Sequence, residues 1–244
     1  GQWSEGARKP TPVSEACGAY LDGKIIVAGG KKPDGSVTDV VEAYDVAENT
    51  WEVLPKLPYP LAGAGCVAYE GGYFLFGGWD GEMVKGEVWE YDNNQWKYKT
   101  RIYKERAYLS VEVVNETFYV IGGWNGVDEL TEITRLNFYT TNEERPLVLP
   151  EARRNLVVIG IVNNLYIIGG INSTDDIGYS IELNPYSGLI RVIKNPRQDN
   201  WYDLGAVWVG EYLYGFGGVS GGQIIDDLYY TRAIYTVILP VIAE

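Results

Sequence analysis

The stretch Lys24-Ile25-Ile26-Val27-Ala28-Gly29-Gly30 is an apolar run that ends in two glycines, and the same pattern occurs five times in the chain. The other four copies end at Gly77-Gly78, Gly122-Gly123, Gly169-Gly170 and Gly217-Gly218. The second glycines of successive doublets are 48, 45, 47 and 48 residues apart. A period of this length indicates one supersecondary unit that is repeated along the chain.

Each repeat is predicted to contain four short strands. In the first repeat we expect strands over residues 15–21, 24–28, 40–45 and 50–54, with a two-residue hairpin turn at Asp22-Gly23. The second strand of each repeat is apolar on both faces, as expected when every sheet is packed between two neighbours. The sequence therefore predicts an all-β propeller of five four-stranded antiparallel blades with almost no helix.

These residues resemble the kelch repeat, in which a Gly-Gly doublet follows the second strand, a Tyr lies in the third and a Trp in the fourth. The first unit has Tyr44 and Trp51 at these places, and the second has Tyr91 and Trp96. The later units keep the doublet but depart at the other positions, with Leu136 or Phe138, then Leu183 and Ile190, then Tyr229-Tyr230. The resemblance covers essentially the whole chain and implies a five-bladed kelch-type propeller, whereas kelch propellers usually have six or seven blades.

We expect one domain over residues 1–244, with repeat units at about 13–55, 61–100, 106–150, 153–195 and 201–240. Two segments compete to close the ring. Trp3 lies 27 residues before Gly30, as Trp51 lies 27 before Gly78, so residues 1–6 could supply the outer strand of the fifth blade. Residues 235–240 could instead complete that blade themselves. We favour the N-terminal strand, because an unclosed ring leaves exposed strand edges.

Composition limits the classes of function. The formal net charge of −13 disfavours nucleic acid and anionic membranes as partners, and no apolar run is long enough to span a bilayer. Cys17 and Cys66 are interpreted as two buried free thiols. Sequons at Asn115 and Asn172 slightly favour an extracellular location over a cytoplasmic one. We expect a monomeric domain.

The chain has no histidine, which removes Ser-His and Cys-His nucleophile pairs and the usual zinc sites. It also argues against a kelch copper oxidase resembling galactose oxidase, which needs His ligands. We therefore expect no metal, no cofactor and no catalytic residues. A carbohydrate-binding or carbohydrate-active propeller, glycosidase-like or resembling the kelch-type sialic acid mutarotases, is the alternative. Its candidate carboxylates show no distinctive spacing, and they are Asp80, Glu82, Asp128, Glu129, Asp175 and Asp176.

Function is expected on the face formed by the loops between second and third strands and between successive blades. Arg106 and Arg153 each lie 17 residues before the second glycine of their doublet, so they are equivalent. The kelch resemblance implies arginines at a pocket mouth that contact ligand carboxylates, for which the planar guanidinium is suited. The alternative is that both bond to backbone carbonyls of a neighbouring loop.

Aromatic residues complete the predicted ligand-binding set. Trp79 and Trp124 each follow a doublet directly and could stack on a ligand or pack between blades. Lys31, Trp201 and Tyr202 lie on the same group of loops. The sequence thus predicts a binding scaffold for a protein or peptide, with acidic partners preferred and a glycan possible.

Overall fold

The computed structural model describes residues 4–138, 147–174, 177–197 and 199–233. Within these ranges the regular structure is β-strand, and no helix there could cross a membrane. The first blade is an antiparallel meander in chain order, and its strands are β1 (Cys17–Leu21), β2 (Lys24–Ala28), β3 (Val41–Asp45) and β4 (Thr50–Leu54). Asp22 and Gly23 both have positive φ, 48° and 86°, as a two-residue hairpin turn of the predicted kind requires.

The next three blades repeat this meander. The second contains β5 (Gly65–Tyr69), β6 (Gly72–Trp79), β7 (Val84–Asp92) and β8 (Gln95–Arg101). The third contains β9 (Ser110–Val114), β10 (Thr117–Ile121), β11 (Glu132–Leu136) and β12 (Leu147–Val148). The fourth contains β13 (Val157–Ile161), β14 (Asn164–Ile168), β15 (Tyr179–Leu183) and β16 (Ile190–Lys194).

The fifth blade is the most irregular. Its described sheet has three strands, in the order β18 (Gly205–Val209), β19 (Tyr212–Phe216) and β22 (Leu228–Arg232). A small separate ribbon stands at one end of this blade and contains β17 (Trp201–Tyr202), β20 (Val219–Ser220) and β21 (Gln223–Ile224). The blades therefore follow one another in chain order, as the repeat predicts.

Successive blades bury their faces against each other. The inner strands β1, β5, β9, β13 and β18 lie side by side in this order. Each apolar core joins two consecutive blades; Ile26 of the first blade, for example, shares a cluster with Tyr73 and Leu75 of the second. Full burial of one such aliphatic side chain contributes about 1.5–3 kcal/mol. The fold is thus a propeller of the kelch type whose core lies between its blades.

The Gly-Gly doublets form the joints between these blades. The second glycine donates its N–H to a backbone carbonyl of the next blade, at 2.7 Å from Gly30 to Leu61 and 2.9 Å from Gly123 to Arg153. The first glycine leaves room for that same carbonyl, since a Cβ on Gly122 would lie 2.5 Å from the oxygen of Arg153. Both glycines have positive φ. The doublet is therefore required by inter-blade geometry.

The joint between the fifth and first blades differs from the others. Gly217 has the same backbone conformation, but the nearest described atom to an added Cβ is the oxygen of Ile225 at 3.7 Å. Residues 1–3 and 235–240, on which the two closure hypotheses depend, lie outside the described residues. Trp51 Nε1 donates to Ala7 O at 2.7 Å, just as Trp96 Nε1 donates to Pro55 O at 2.8 Å. Ala7 therefore occupies the register expected of a segment that follows an outer strand, and closure itself stays a prediction.

The expectation of two free thiols is wrong, because Cys17 and Cys66 form a disulfide. Cys17 lies in β1 and Cys66 in β5, the neighbouring inner strands of the first two blades, with their Cα atoms 5.9 Å apart. Their separation of 49 residues is close to one repeat. Since a propeller places equivalent positions of adjacent blades side by side, that spacing was the signal for the bond.

The role of the doublet can be tested with two alanine substitutions that share the same backbone strain. Gly122 and Gly217 have φ of 61° and 60°, but an added Cβ meets a carbonyl oxygen closely only at Gly122. We expect Gly217→Ala to lower the free energy of unfolding by about 1 kcal/mol and Gly122→Ala by about 3 kcal/mol. Urea denaturation measures both free energies of unfolding. Equal losses in the two variants would contradict the role of the doublet in the joint between blades.

Closure can be tested by truncation at either end. If residues 1–6 supply the outer strand of the fifth blade, their deletion should lower the free energy of unfolding by about 3 kcal/mol or more, because it removes a packed tryptophan and exposes a strand edge. Truncation after Ala233 should then be the milder change. Thermal melts of both truncated proteins are the measurement, and the reverse order would assign closure to residues 235–240.

Candidate functional site

Short backbone β-bridges connect the loops of the predicted functional face, and we call the bridged residues the bridge layer. In each blade, the residue directly after the doublet pairs with a residue on the segment that enters the blade. The pairs are Lys31 with Ser14, Trp79 with Ala62, Trp124 with Ala107, Ile171 with Arg154, and Val219 with Tyr202. Four of the predicted ligand-binding residues, Lys31, Trp79, Trp124 and Tyr202, thus belong to one layer, and all four are half-buried. Their side chains remain accessible to a partner.

Arg106 lies one position earlier and is fully buried. Its Nε donates to Lys104 O at 3.0 Å, and its Nη1 donates to Gly122 O and Glu132 O at 3.2 and 3.1 Å. Its Nη2 donates to Thr134 Oγ1 at 3.2 Å. Burial lowers the pKa of Arg106 to about 10, so it still carries its charge at neutral pH. The guanidinium therefore holds the loops of its own blade together.

Arg153 occupies the equivalent position in the fourth blade and is also fully buried. Its Nη1 donates to Gly169 O at 3.0 Å and Tyr179 O at 3.3 Å, and its guanidinium lies 5.0 Å from the centre of the Tyr179 ring. Within the described residues, its Nε and Nη2 have no hydrogen-bond partner. Burial lowers the pKa of Arg153 as well. The same arginine is thus less completely bonded here than in the third blade.

Trp201 lies at the equivalent position in the fifth blade, 17 residues before Gly218. It is buried, its Nε1 donates to Gly217 O at 2.8 Å, and its ring meets Tyr229 edge-on. Trp201, Arg106 and Arg153 are therefore buried in contacts with the framework and are not part of the accessible loop surface. The preference for acidic partners rested on exposed guanidinium groups, and the burial of both arginines removes that basis.

A chain of backbone hydrogen bonds marks the place where the inner strands begin. It joins five equivalent residues, each 15 positions before its second doublet glycine, and each has positive φ. Four hydrogen bonds form the chain: from the second blade to the fifth, the N–H of the residue donates to the carbonyl of its equivalent in the preceding blade, over distances of 2.6 to 3.2 Å. The five residues are Glu15, Gly63, Tyr108, Asn155 and Asp203. We call this set the mouth residues.

Tyr108 is a mouth residue whose side chain extends over the two preceding blades. A Cβ on Gly63 would lie 2.8 Å from its ring, and its hydroxyl donates to Glu15 Oε2 at 3.0 Å. The ring therefore lies over the second blade and reaches the first. Trp124 lies beside it, with ring centres 6.4 Å apart. Burial, and next the negative charge of Glu15, raise the pKa of Tyr108 to about 12, so it remains a hydroxyl donor at neutral pH.

Arg154 is the accessible arginine beside this aromatic pair. Its guanidinium lies 5.8 Å from the centre of the Tyr108 ring, and its Nε donates to Glu129 Oε1 at 3.1 Å. Ser173 donates to the same oxygen at 2.6 Å. Burial by itself would raise the pKa of Glu129, but the bonds from Ser173 and Arg154 outweigh it and lower that pKa. The Arg154 charge is thus already paired within the site.

Two exposed carboxylates lie among the mouth residues, close to Tyr108. Glu15 and Asp203 are both exposed, and Asp203 Oδ1 accepts a hydrogen bond from Asn155 Nδ2 at 2.5 Å. In the described part of the chain, no group of three or more Cys, Asp or Glu side chains could hold a metal ion. The accessible surface around Tyr108 and Trp124 is therefore aromatic with acidic neighbours.

Of these residues, the sequence had pointed to Trp124 but not to Tyr108. The signal for Tyr108 was present, because the mouth position holds Gly63, Asn155 and Asp203 in other blades, and these residue types tolerate positive φ. A tyrosine at such a position is unusual. Its direction across the neighbouring blade, however, depends on contacts that only the assembled blades supply.

Substitution of the two buried arginines by leucine tests their framework role, since Leu61 fills the equivalent position of the second blade. Arg106→Leu leaves carbonyls without a donor and should lower the free energy of unfolding by about 2 kcal/mol. Arg153→Leu should cost less, because two of its donors have no partner within the described residues. Chemical denaturation compares the two, and an equal or larger loss for Arg153→Leu would contradict this interpretation.

Comparisons with known proteins bear on the family and the fold. A family model described as KLHDC2/KLHL20/DRC7 Kelch-repeats domain matches residues 2–170. Beta-scruin of Limulus polyphemus is 28% identical over 131 residues, which are 50% of this chain and 14% of that protein. Kelch-like protein 41b of Danio rerio is 24% identical over 125 residues, 50% of this chain and 21% of that protein. Each alignment therefore spans less than a quarter of the relative's length.

A solved structure titled "Structure of YjhT" superimposes with a TM-score of 0.76. The alignment covers 94% of this chain and 84% of that one, at 18% sequence identity. At this level of identity the likeness concerns the fold.

Proposed function

Since the chain belongs to the kelch-repeat family, we propose that it is a scaffold that binds a protein or peptide through the mouth residues and the bridge layer around them. The observation that carries this proposal is the half-buried pair Tyr108 and Trp124, which lies among side chains that are already held in place. Aromatic residues held in this way lose little conformational entropy on binding, and such residues dominate the energetics of protein interfaces.

The charges around the aromatic pair favour a partner with a basic side chain. Glu15 and Asp203 are exposed carboxylates of the mouth, whereas the nearby Arg154 is paired with Glu129. The net charge of −13 also steers cationic partners toward this molecule. We therefore infer a peptide segment in which an apolar or aromatic residue packs on Trp124 and a lysine or arginine approaches Glu15 or Asp203.

The proposed role is binding without turnover. Its alternative, a carbohydrate-binding or carbohydrate-active propeller, would use the same accessible aromatic surface for a sugar ring and the same carboxylates for acid-base chemistry. The two alternatives differ in their response to salt. Contacts between a basic peptide and exposed carboxylates weaken as ionic strength rises, whereas stacking of a neutral sugar is nearly independent of it.

A binding screen with a peptide library and a glycan array tests the proposal, followed by measurement of Kd for the best ligand at two salt concentrations. We expect a basic peptide to bind, and Trp124→Ala to weaken it by about ten- to a hundredfold, as removal of an aromatic hot spot does. Trp208→Ala is the matched control, because Trp208 is partly exposed near the other end of inner strand β18. The Trp208→Ala variant should bind the peptide with the same affinity as the unsubstituted protein.

Three results would contradict the proposal. Equal losses of peptide affinity in Trp124→Ala and Trp208→Ala would show that the peptide does not bind at the loop face. Salt-independent binding of a neutral glycan without peptide binding would favour the carbohydrate-binding alternative. Turnover of a glycoside or of a reducing sugar would instead indicate an enzyme.

A further inference from the structure

A cavity of about 240 Å³ lies between the fourth and fifth blades. Ser180 and Asn195 line it from the fourth blade, and Trp201, Gly215 and Tyr229 line it from the fifth. It is distinct from the mouth residues, none of which line it. Its position is that of the apolar core which, at the other blade interfaces, is filled by aliphatic and aromatic side chains.

The fourth blade has a polar residue where the three preceding blades have an aliphatic one. The backbone N–H of Asn195 donates to Gly178 O, just ahead of the third strand. The residues that make the equivalent bond in the first three blades are Leu57, Ile102 and Leu149, and all are buried, as Asn195 is. The repeat therefore places a buried amide at a position that elsewhere belongs to the core.

Two further positions of the same interface depart from the repeat. Ser180 lies ten residues after Gly170, and Val88 and Ile133 lie at the same distance after their own doublets. Gly215 lies two residues before the first glycine of its doublet, and the residues at that position in the other blades are Val27, Leu75, Val120 and Ile167. Three positions that are aliphatic in other blades thus hold smaller or polar residues around a single cavity, and the Trp201 ring occupies the space beside Gly215.

The polar pair is only half satisfied by the protein. Ser180 Oγ donates to Asn195 Oδ1 at 2.6 Å and accepts from Gly169 N at 3.4 Å. Asn195 Nδ2 has no hydrogen-bond partner in the described part of the chain, although only 4% of Asn195 is exposed. Buried polar groups are normally bonded, so an unpaired amide beside a cavity indicates an acceptor that comes from outside the chain.

We propose that this cavity binds a small aromatic molecule that carries a carbonyl oxygen. The ring packs against Trp201 and Tyr229, and the carbonyl oxygen accepts a hydrogen bond from Asn195 Nδ2. The volume suits this class, because an apolar protein cavity of about 150 Å³ is enough to bind benzene. A pocket that is mostly apolar, with one directional polar group, is the usual arrangement of a small-molecule site.

The test uses acetophenone, which has one ring and one carbonyl, and ethylbenzene, which has a similar shape without the acceptor. Binding to the full chain is measured by titration calorimetry, with intrinsic tryptophan fluorescence as a second readout. We expect saturable binding of acetophenone, at least about fivefold tighter than that of ethylbenzene, because only the ketone pairs with the amide. No saturable binding of acetophenone, or equal affinity for the two compounds, would overturn the proposal.

Asn195→Leu gives the second arm, since it restores the type of residue found in the other blades without a large change in volume. The variant should bind acetophenone about tenfold more weakly, the usual effect of losing one hydrogen bond, and ethylbenzene with nearly unchanged affinity. Trp124→Ala is the matched control, and it should leave acetophenone binding intact even if the proposed peptide site is destroyed. Undiminished acetophenone binding by Asn195→Leu would overturn the role of the amide.

Discussion

The approach of one backbone carbonyl to a pair of glycines is the constraint on which this molecule depends. At the joint between the third and fourth blades, the oxygen of Arg153 accepts a hydrogen bond from Gly123 and lies where Gly122 would carry a side chain. A bond of this kind satisfies polar groups that are buried as two sheets pack together. Because the carbonyl can come so close only to a residue without a Cβ, the doublet persists where the Tyr and Trp of the repeat do not.

The residue that supplies this carbonyl is free to vary in its side chain, and the variation has different consequences in each blade. Leu61 adds to an apolar core, Arg106 ties together loops of its own blade, and Trp201 fills the space left by Gly215. All three present the same backbone oxygen to the preceding blade. One backbone requirement thus coexists with unrelated side-chain chemistry, and equivalence in the repeat does not imply an equivalent role.

The same joints position the surface on which the proposed function depends. In the second to fifth blades, the mouth residue lies two positions after the residue whose carbonyl accepts the bond from the doublet. The hydrogen bonds that hold the blades together therefore also fix where Tyr108 and Asn155 lie. Two adjacent residues of one blade can therefore differ in accessibility, as Trp201 is buried and Tyr202 is half-buried. A rigid frame with variable residues at its rim suits a binding protein, since loops carry recognition and the sheets carry stability.

The sequence by itself determined the repeat, the strands, the turns and the place of the joints. These depend on local periods and on glycines, and the observed first blade differs from the expected bounds by two residues at most. Only the tertiary structure decided that Arg106 and Arg153 are buried, that Cys17 and Cys66 are joined, and that Tyr108 reaches Glu15. The physical reason is that accessibility and pairing are set by tertiary contacts within and between blades, which join residues far apart in the sequence. A local pattern carries no record of which way a side chain turns.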